Sequence, residues 1–127
     1  MPTETGILLH GGRPALGFAS IGAGLHHRTF QCLLNVTGFG MSVEEAINTA
    51  DFFYPATDAS GQMTVQVPLG RFDRDVLNGT GYAWQEIGLD DAGLAGEGFW
   101  IGISRNPETG LIHAASHNRS NAASFAF

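Results

Sequence analysis

The stretch that decides the fold begins at Gly17, ends at Pro55 and reads GFASIGAGLHHRTFQCLLNVTGFGMSVEEAINTADFFYP. Its first residues lead into small ones, Ser20 to Gly24, which are typical of a tight turn that follows a strand. From His26 to Val36 the apolar residues Phe30, Leu33 and Leu34 recur at helical spacing, and the glycines of Gly38-Phe39-Gly40 are placed to end that helix. This half of the stretch therefore predicts a strand, a small-residue turn and a helix.

The clearest start of a helix lies in the second half of the stretch. Ser42 and Glu45 have the spacing of a capping box, in which each side chain accepts a hydrogen bond from the other residue's backbone N–H. The pattern predicts a short helix with four apolar residues facing the core: Val43, Ala46, Ile47 and Ala50.

Strands are predicted on both sides of this stretch. Ile7 to His10 and Ala15 to Ser20 flank Gly11-Gly12-Arg13-Pro14, a cluster typical of the turn in a β-hairpin. Alternating polar and apolar residues predict a half-buried strand from Gln62 to Val67, which Pro68 ends. The remaining predicted elements are a short helix, Arg71 to Leu77, and strands at Tyr82 to Ile87, Gly98 to Ser104 and Leu111 to Ser116, the last two joined by the turn Asn106 to Gly110. The fold class is therefore α+β.

Composition limits what the chain can do. Its 127 residues suit a single domain piece over 1–127, since no linker, repeat or low-complexity tract interrupts them. Charged residues make up 14% of the chain and hydrophobic residues 43%, which is typical of a piece that is partly buried by something else. The net charge of −6 leaves no basic surface for a phosphate backbone, so no nucleic-acid partner is expected.

The single cysteine and the N-terminal residues add two expectations. Cys32 lies beside Leu33 and Leu34, which favours a small buried side chain over a reactive thiol. No secretion signal is evident at the start of the chain and no apolar run reaches the length of a membrane span. The compartment is therefore left open.

Two kinds of catalytic centre are disfavoured by spacing. Ser20 precedes a turn, but a nucleophile elbow requires glycine two residues earlier, where this chain has Phe18. The histidines do not form a set of three or four metal ligands, because the stretch that carries His113 and His117 reads as a strand and no carboxylate cluster lies near them. No metal and no cofactor are expected.

The turn Ser20 to Gly24 is the one feature that could take part in chemistry. Consecutive backbone N–H groups between a strand and a helix can converge on an anion and stabilise an oxyanion. Small residues in the same place can also serve only to let a strand and a helix pack closely. The residues by themselves leave both interpretations open.

Three motifs in their order resemble the gamma-glutamyltransferase family. The family has a Gly-Ser-Pro-Gly-Gly turn after a hairpin, and this chain has Ala19-Ser20-Ile21-Gly22-Ala23. The family's Gly-Met or Gly-Leu step and Glu-Ala-Ile-Asn helix correspond to Gly40-Met41 and Glu45-Ala46-Ile47-Asn48. Its closing Ala-Ser-Asp-Pro-Arg corresponds to Ala115-Ser116-His117-Asn118-Arg119. The resemblance spans nearly the whole chain and points to the C-terminal part of the small subunit.

The resemblance implies a fold and a reaction. The family fold is a four-layer αββα sandwich of the N-terminal-nucleophile hydrolase type, whose nucleophile is an N-terminal threonine freed by self-cleavage. In this chain the backbone N–H groups of Gly22 and Ala23 would form the oxyanion hole. The threonine would lie upstream, because Thr3 and Thr5 would need proteolytic exposure and stand too close to the turn. This chain alone is expected to be inactive.

The partners and the substrate also follow from the resemblance. An upstream segment or a partner chain would carry the threonine, and a homo- or hetero-oligomer is expected. The substrate would be a small gamma-glutamyl compound or another acyl amide, because several positions differ from the family pattern: Ala23, Asp51, Phe53, His117 and Asn118. The alternative is a non-catalytic binding or assembly module that keeps the sandwich.

Overall fold

The computed structural model describes residues 3–22, 25–49, 54–88 and 99–117. They form an α+β fold with two compact units, one over 1–49 and 97–127 and one over 50–96. No run of proline and serine marks the boundaries near residues 50 and 96. The single domain piece over 1–127 stays a prediction.

The first unit is built on a four-stranded antiparallel sheet in the order β1-β2-β6-β7. Its strands are β1 Thr3–His10, β2 Arg13–Ile21, β6 Phe99–Arg105 and β7 Ile112–Ser116. The two predicted hairpins are confirmed, and β1 begins four residues earlier than predicted. The turn between β1 and β2 is shorter than predicted, since Gly11 and Gly12 alone adopt positive φ and the next two residues already belong to β2.

Two helices cover one face of this sheet. They are α1 Leu25–Gly38 and α2 Val43–Asn48. The predicted capping box is confirmed, with the Ser42 hydroxyl accepting from the Glu45 backbone N–H and the Glu45 carboxylate accepting from the Ser42 backbone N–H. Val43, Ala46 and Ile47 are buried as predicted, whereas Ala50 lies outside the described residues.

The buried face of α1 differs from the one that its apolar spacing indicates. Phe30 and Leu34 are exposed, and the buried residues of this helix are mostly polar: Leu25, Arg28, Thr29, Gln31, Cys32 and Asn35. Two of these polar side chains, those of Arg28 and Thr29, form hydrogen bonds with groups outside this helix. The buried guanidinium of Arg28, for example, donates to the backbone carbonyl of Ile47 near the end of α2, at 2.8 Å.

The core between the helices and the sheet centres on Trp100. Its ring stacks on Phe18 with centroids 5.9 Å apart, and Leu16, Cys32, Val43, Ile47 and Ala115 complete the buried cluster. The ring lies over Gly102, where an added Cβ would collide with it. Glycine at this position of β6 thus makes room for the largest buried side chain.

The other face of the same sheet, called here the outer face, carries alternate residues that point away from the helices. Ile7, Ile101 and Ile103 lie there, and their exposed fractions are 69%, 39% and 49%. Register places Ile7 and Ile103 on either side of Gly17, which makes the outer face a continuous apolar surface across three strands.

The second unit is a three-stranded sheet in the order β3-β4-β5 with one short helix. Its elements are β3 Tyr54–Thr57, β4 Met63–Pro68, α3 Arg74–Gly79 and β5 Trp84–Ile87. β4 pairs antiparallel with β3 and parallel with β5. α3 begins three residues later than predicted, because the carboxylate of Asp73 caps the backbone N–H groups of Asp75 and Val76.

The alternation predicted for β4 is only partly correct. Val67 is buried, but Met63 is exposed and Thr64 is buried in its place. Among the helices in the described part of the chain, none is both long and apolar enough to cross a membrane.

Candidate functional site

The predicted oxyanion turn begins where β2 ends. Gly22 is buried and has φ of +114°, a conformation that a side chain would strain. Glycine is therefore required here by the backbone and not only by close packing. Ala23, the second predicted donor, lies outside the described residues. The turn thus follows strand β2 and precedes helix α1, which begins at Leu25.

A chain of polar side chains surrounds the start of this turn. The Thr29 hydroxyl of α1 donates to the Ser20 hydroxyl at 2.8 Å, and both residues are buried. The Ser20 hydroxyl in turn donates to a carboxylate oxygen of Glu4 on β1, at 3.4 Å. The other carboxylate oxygen of Glu4 lies 3.6 Å from Nδ1 of the exposed His26. Ser20 therefore has a structural setting and not that of a nucleophile.

A groove of about 490 Å³ adjoins the turn in the first unit. Its lining includes Ser20 and Ile21, the two residues that precede Gly22. The remaining lining residues are Thr3, Thr5, Ala19, Phe99, Trp100, Ile101, Ser116 and His117. No aspartate, glutamate, arginine or lysine is among them, so apolar side chains and hydroxyl groups give the groove its character.

His117 is the one titratable side chain of that lining. Its backbone N–H donates to the Trp100 carbonyl at 3.0 Å, and its ring meets the edge of Phe99 with centroids 5.7 Å apart. By resemblance this position carries aspartate in gamma-glutamyltransferases. The structure thus places one of the positions that depart from the family pattern directly beside the candidate site.

The other residues considered for chemistry lie apart from the groove or carry no catalytic geometry. His27 and His113 are exposed, and no group of three or more metal-ligating side chains occurs within residues 3–22, 25–49, 54–88 and 99–117. Cys32 is fully buried, as predicted, and burial raises the pKa of its thiol to about 11 although nearby Arg28 lowers it in part. A thiol with such a pKa stays protonated and inert at neutral pH.

Thr3 and Thr5 both lie within β1, where they pair with Ile21 and Ala19 of β2 and line the groove. Asp51, Phe53 and Asn118 lie outside the described residues. Within the described ranges, the site therefore offers a buried glycine turn and a largely apolar groove. Such a groove can accommodate an acyl group.

Two residues of the site were missed by sequence reasoning. Glu4 and Thr29 stand 16 and 9 residues from Ser20, respectively, and the fold alone brings them to its hydroxyl. Neither belongs to a motif. The one available signal was weak, namely a threonine within a helix on a face that also carries Cys32.

Solved enzyme structures share this fold. A gamma-glutamyltranspeptidase from Pseudomonas nitroreducens complexed with L-DON matches with a TM-score of 0.66 and 21% identity over 97% of this chain and 61% of that chain. The transpeptidase CapD of Bacillus anthracis matches with a TM-score of 0.68 and 16% identity, over 97% of this chain and 69% of that chain. A cephalosporin acylase from Bacillus halodurans matches with a TM-score of 0.68 and 21% identity, over 91% of this chain and 20% of that chain.

The predicted likeness to gamma-glutamyltransferases is confirmed as a likeness of fold. The chain spans about three fifths of the length of the gamma-glutamyltranspeptidase chains with which it was compared. No protein-family model and no curated protein matches the sequence.

Proposed function

We propose that this chain is the C-terminal part of a gamma-glutamyltransferase-like enzyme, in which Gly22 and Ala23 supply backbone N–H groups to an oxyanion hole. The observation that carries the proposal is the buried Gly22 with φ of +114° between β2 and α1, in a fold shared with gamma-glutamyltranspeptidases. A glycine held in this conformation at the start of a helix presents backbone donors without a side chain in the way.

The proposed reaction is acyl transfer from an amide. A threonine of an upstream segment or partner chain attacks the amide carbonyl carbon, its own α-amine accepts the hydroxyl proton, and the carbonyl oxygen gains negative charge. The Gly22 and Ala23 N–H groups stabilise that oxygen, the amine leaves with a proton, and the acyl-enzyme then passes to water or to an amine. Each preorganised donor of this kind contributes about 10² to 10³ in rate.

The substrate is proposed to be a small acyl amide, gamma-glutamyl or other. The groove beside the turn supports a wider range than gamma-glutamyl donors, because its described lining contains no charged partner for the donor's carboxylate or amine. Groups that bind those charges would come from the upstream segment. We favour amide chemistry over a role confined to glutathione.

The partner is proposed to cover the outer face of the four-stranded sheet. In a four-layer αββα sandwich the second sheet packs on such a face, and the exposed Ile7 and Ile103 fit that role, while Ile101 lines the neighbouring groove. The second sheet of the sandwich, together with the threonine, would then belong to the same partner.

The test is a pair of substitutions at Gly22 in the chain assembled with its upstream partner. Gly22→Pro deletes the N–H donor and should lower kcat by about 10² to 10³ with a smaller change in KM, since the donor acts in the transition state. Gly22→Ala retains the N–H and strains only the backbone, so it should lower kcat less than Gly22→Pro does.

Gly12→Pro is the matched control, because it forces the same backbone change on an exposed hairpin glycine with φ of +77°. Its activity should stay near that of the parent enzyme. An unchanged kcat in Gly22→Pro would remove the oxyanion role.

The second candidate function is that of a non-catalytic module. The replacement of the family's second glycine by Ala23 favours it. An assembled parent protein without turnover on acyl amides would support it.

A further inference from the structure

We propose that Thr29 is a positioning residue for the oxyanion turn and acts through the hydroxyl of Ser20. The inference rests on the proposed function, since it concerns how the turn that carries Gly22 is held. Its geometric basis is a buried hydroxyl pair: Thr29 Oγ1 and Ser20 Oγ lie 2.8 Å apart, and each residue is at most 5% exposed.

The two threonines of α1 use their hydroxyl groups differently. Thr37 donates to the Leu33 carbonyl four residues earlier at 2.6 Å, which is the ordinary bond of a threonine within a helix. Thr29 instead reaches across to the strand that ends at the turn. The hydroxyl of Thr29 therefore joins α1 to β2 and does not serve its own helix.

Ser20 and Thr29 lie on either side of the turn in the sequence. Ser20 lies two residues before Gly22, and Thr29 lies in the first turns of the helix that follows. Gly22 has no side chain with which to anchor itself, so its conformation depends on what holds the residues on both sides. The hydroxyl bond fixes the distance between those two sides.

A second hydrogen bond fixes the orientation of the Ser20 hydroxyl. Ser20 accepts the Thr29 proton and directs its own proton to the Glu4 carboxylate on β1, at 3.4 Å. The Ser20 hydroxyl thus uses both an acceptor and a donor position, and three elements are tied together at the point where the turn begins. Removal of the Thr29 hydroxyl would leave the buried Ser20 oxygen without its donor.

The experiment follows the backbone order of Gly22 by ¹⁵N relaxation in the full chain, in the assembly that it forms. Thr29→Val keeps the shape and helix preference of the residue and removes the hydroxyl. The order parameter of the Gly22 amide should fall from about 0.85, the value of a rigid backbone, to below about 0.6. Thr29→Ser restores the hydroxyl and should return the parent value.

Thr37→Val is the matched control, because it removes an exposed hydroxyl from the same helix, and it should leave Gly22 unchanged. A Gly22 amide that stays rigid in Thr29→Val, or loosens equally in Thr37→Val, would overturn the proposal. Should Thr29→Val fail to fold, Ser20→Ala removes the same bond from the other side and must give the same loss of order.

Kinetic measurements on the assembled enzyme distinguish the positioning role of Thr29 from the oxyanion role of Gly22. Thr29→Val should lower kcat about fivefold, the factor that a hydrogen bond of ordinary strength supports, with KM nearly unchanged. A loosened Gly22 with unchanged kcat would contradict the oxyanion role and leave the positioning role intact. A rigid Gly22 with a lowered kcat would contradict the positioning role alone.

Discussion

The two faces of the four-stranded sheet differ in what lies over them and not in the type of side chain they carry. On one face Leu16, Trp100 and Ala115 are buried under α1 and α2. On the outer face Ile101 and Ile103, on the same strand as Trp100, are 39% and 49% exposed. A strand with apolar residues on both faces is typical of a sheet inside a layered fold.

The difference between the two faces helps to explain the low fraction of charged residues. A chain that covered all of its own apolar surface would need more charged residues than the 14% found here. The exposed isoleucines account for part of that deficit, and the solved enzymes that share the fold are longer chains. This arrangement requires that substitutions on the covered face cost more stability than substitutions on the outer face.

The largest expected effect is on the covered face. Trp100→Ala should lower the free energy of unfolding by about 3 to 5 kcal/mol, because it leaves a cavity in the centre of the core. Urea titration would measure the change. Ile103→Ala, three residues along the same strand, should change stability by no more than about 0.5 kcal/mol in the unassembled chain. Equal losses in the two variants would contradict the difference between the faces.

Local patterns predicted much of this fold. The hairpin glycines and the capping box of Ser42 and Glu45 act within a few residues, so the sequence contains all that determines them. The buried face of α1 was not predictable, because Arg28 and Thr29 are buried by virtue of partners on α2 and β2. Apolar spacing identified the helix, but of Phe30, Leu33 and Leu34 only Leu33 packs against the core.

The next effect concerns the outer face. If a partner or a second copy covers it, the interface should exceed about 1,000 Å², and a charge at its centre should weaken association by about 2 kcal/mol or more. Ile103→Lys is the test, measured by analytical ultracentrifugation. Val76→Lys introduces the same charge at an exposed residue of α3 and should have no effect.

The association state of the parent chain can also contradict the proposal that the outer face is covered. A stable monomer at high micromolar concentration that binds no apolar dye would mean that the outer face needs no cover, and the four-layer proposal would fail. Dissociation by Val76→Lys as strongly as by Ile103→Lys would show that net charge and not the outer face controls association.

The candidate site was predictable only in part. The resemblance led to Gly22, and the structure adds the positive φ that explains why glycine stands there. The contact of Thr29 with Ser20 could not be foreseen, because nine residues and a turn separate the two hydroxyl groups in sequence. His117 lies in the groove because β7 pairs with β6. The periodicity of the sequence predicts these strands but does not show that they lie close to the turn that follows β2.

The smallest expected effect is a pH dependence on the covered face. Burial raises the pKa of the Cys32 thiol from 9.0 to about 11, with an opposing contribution from Arg28. Between these two values the unfolded chain releases the thiol proton while the folded chain keeps it, so the folded state binds more protons and stability falls as pH rises. The contribution is fully present below pH 9 and is lost progressively up to about pH 11, so that by pH 10 stability should have fallen by on the order of 1 kcal/mol. The chain contains one cysteine and no lysine, and Cys32→Ala isolates the contribution of the thiol. Urea titrations at pH 8, 9 and 10, compared between the parent and Cys32→Ala, should show the additional decline in the parent alone, and parallel curves would mean that the thiol is not buried in the core.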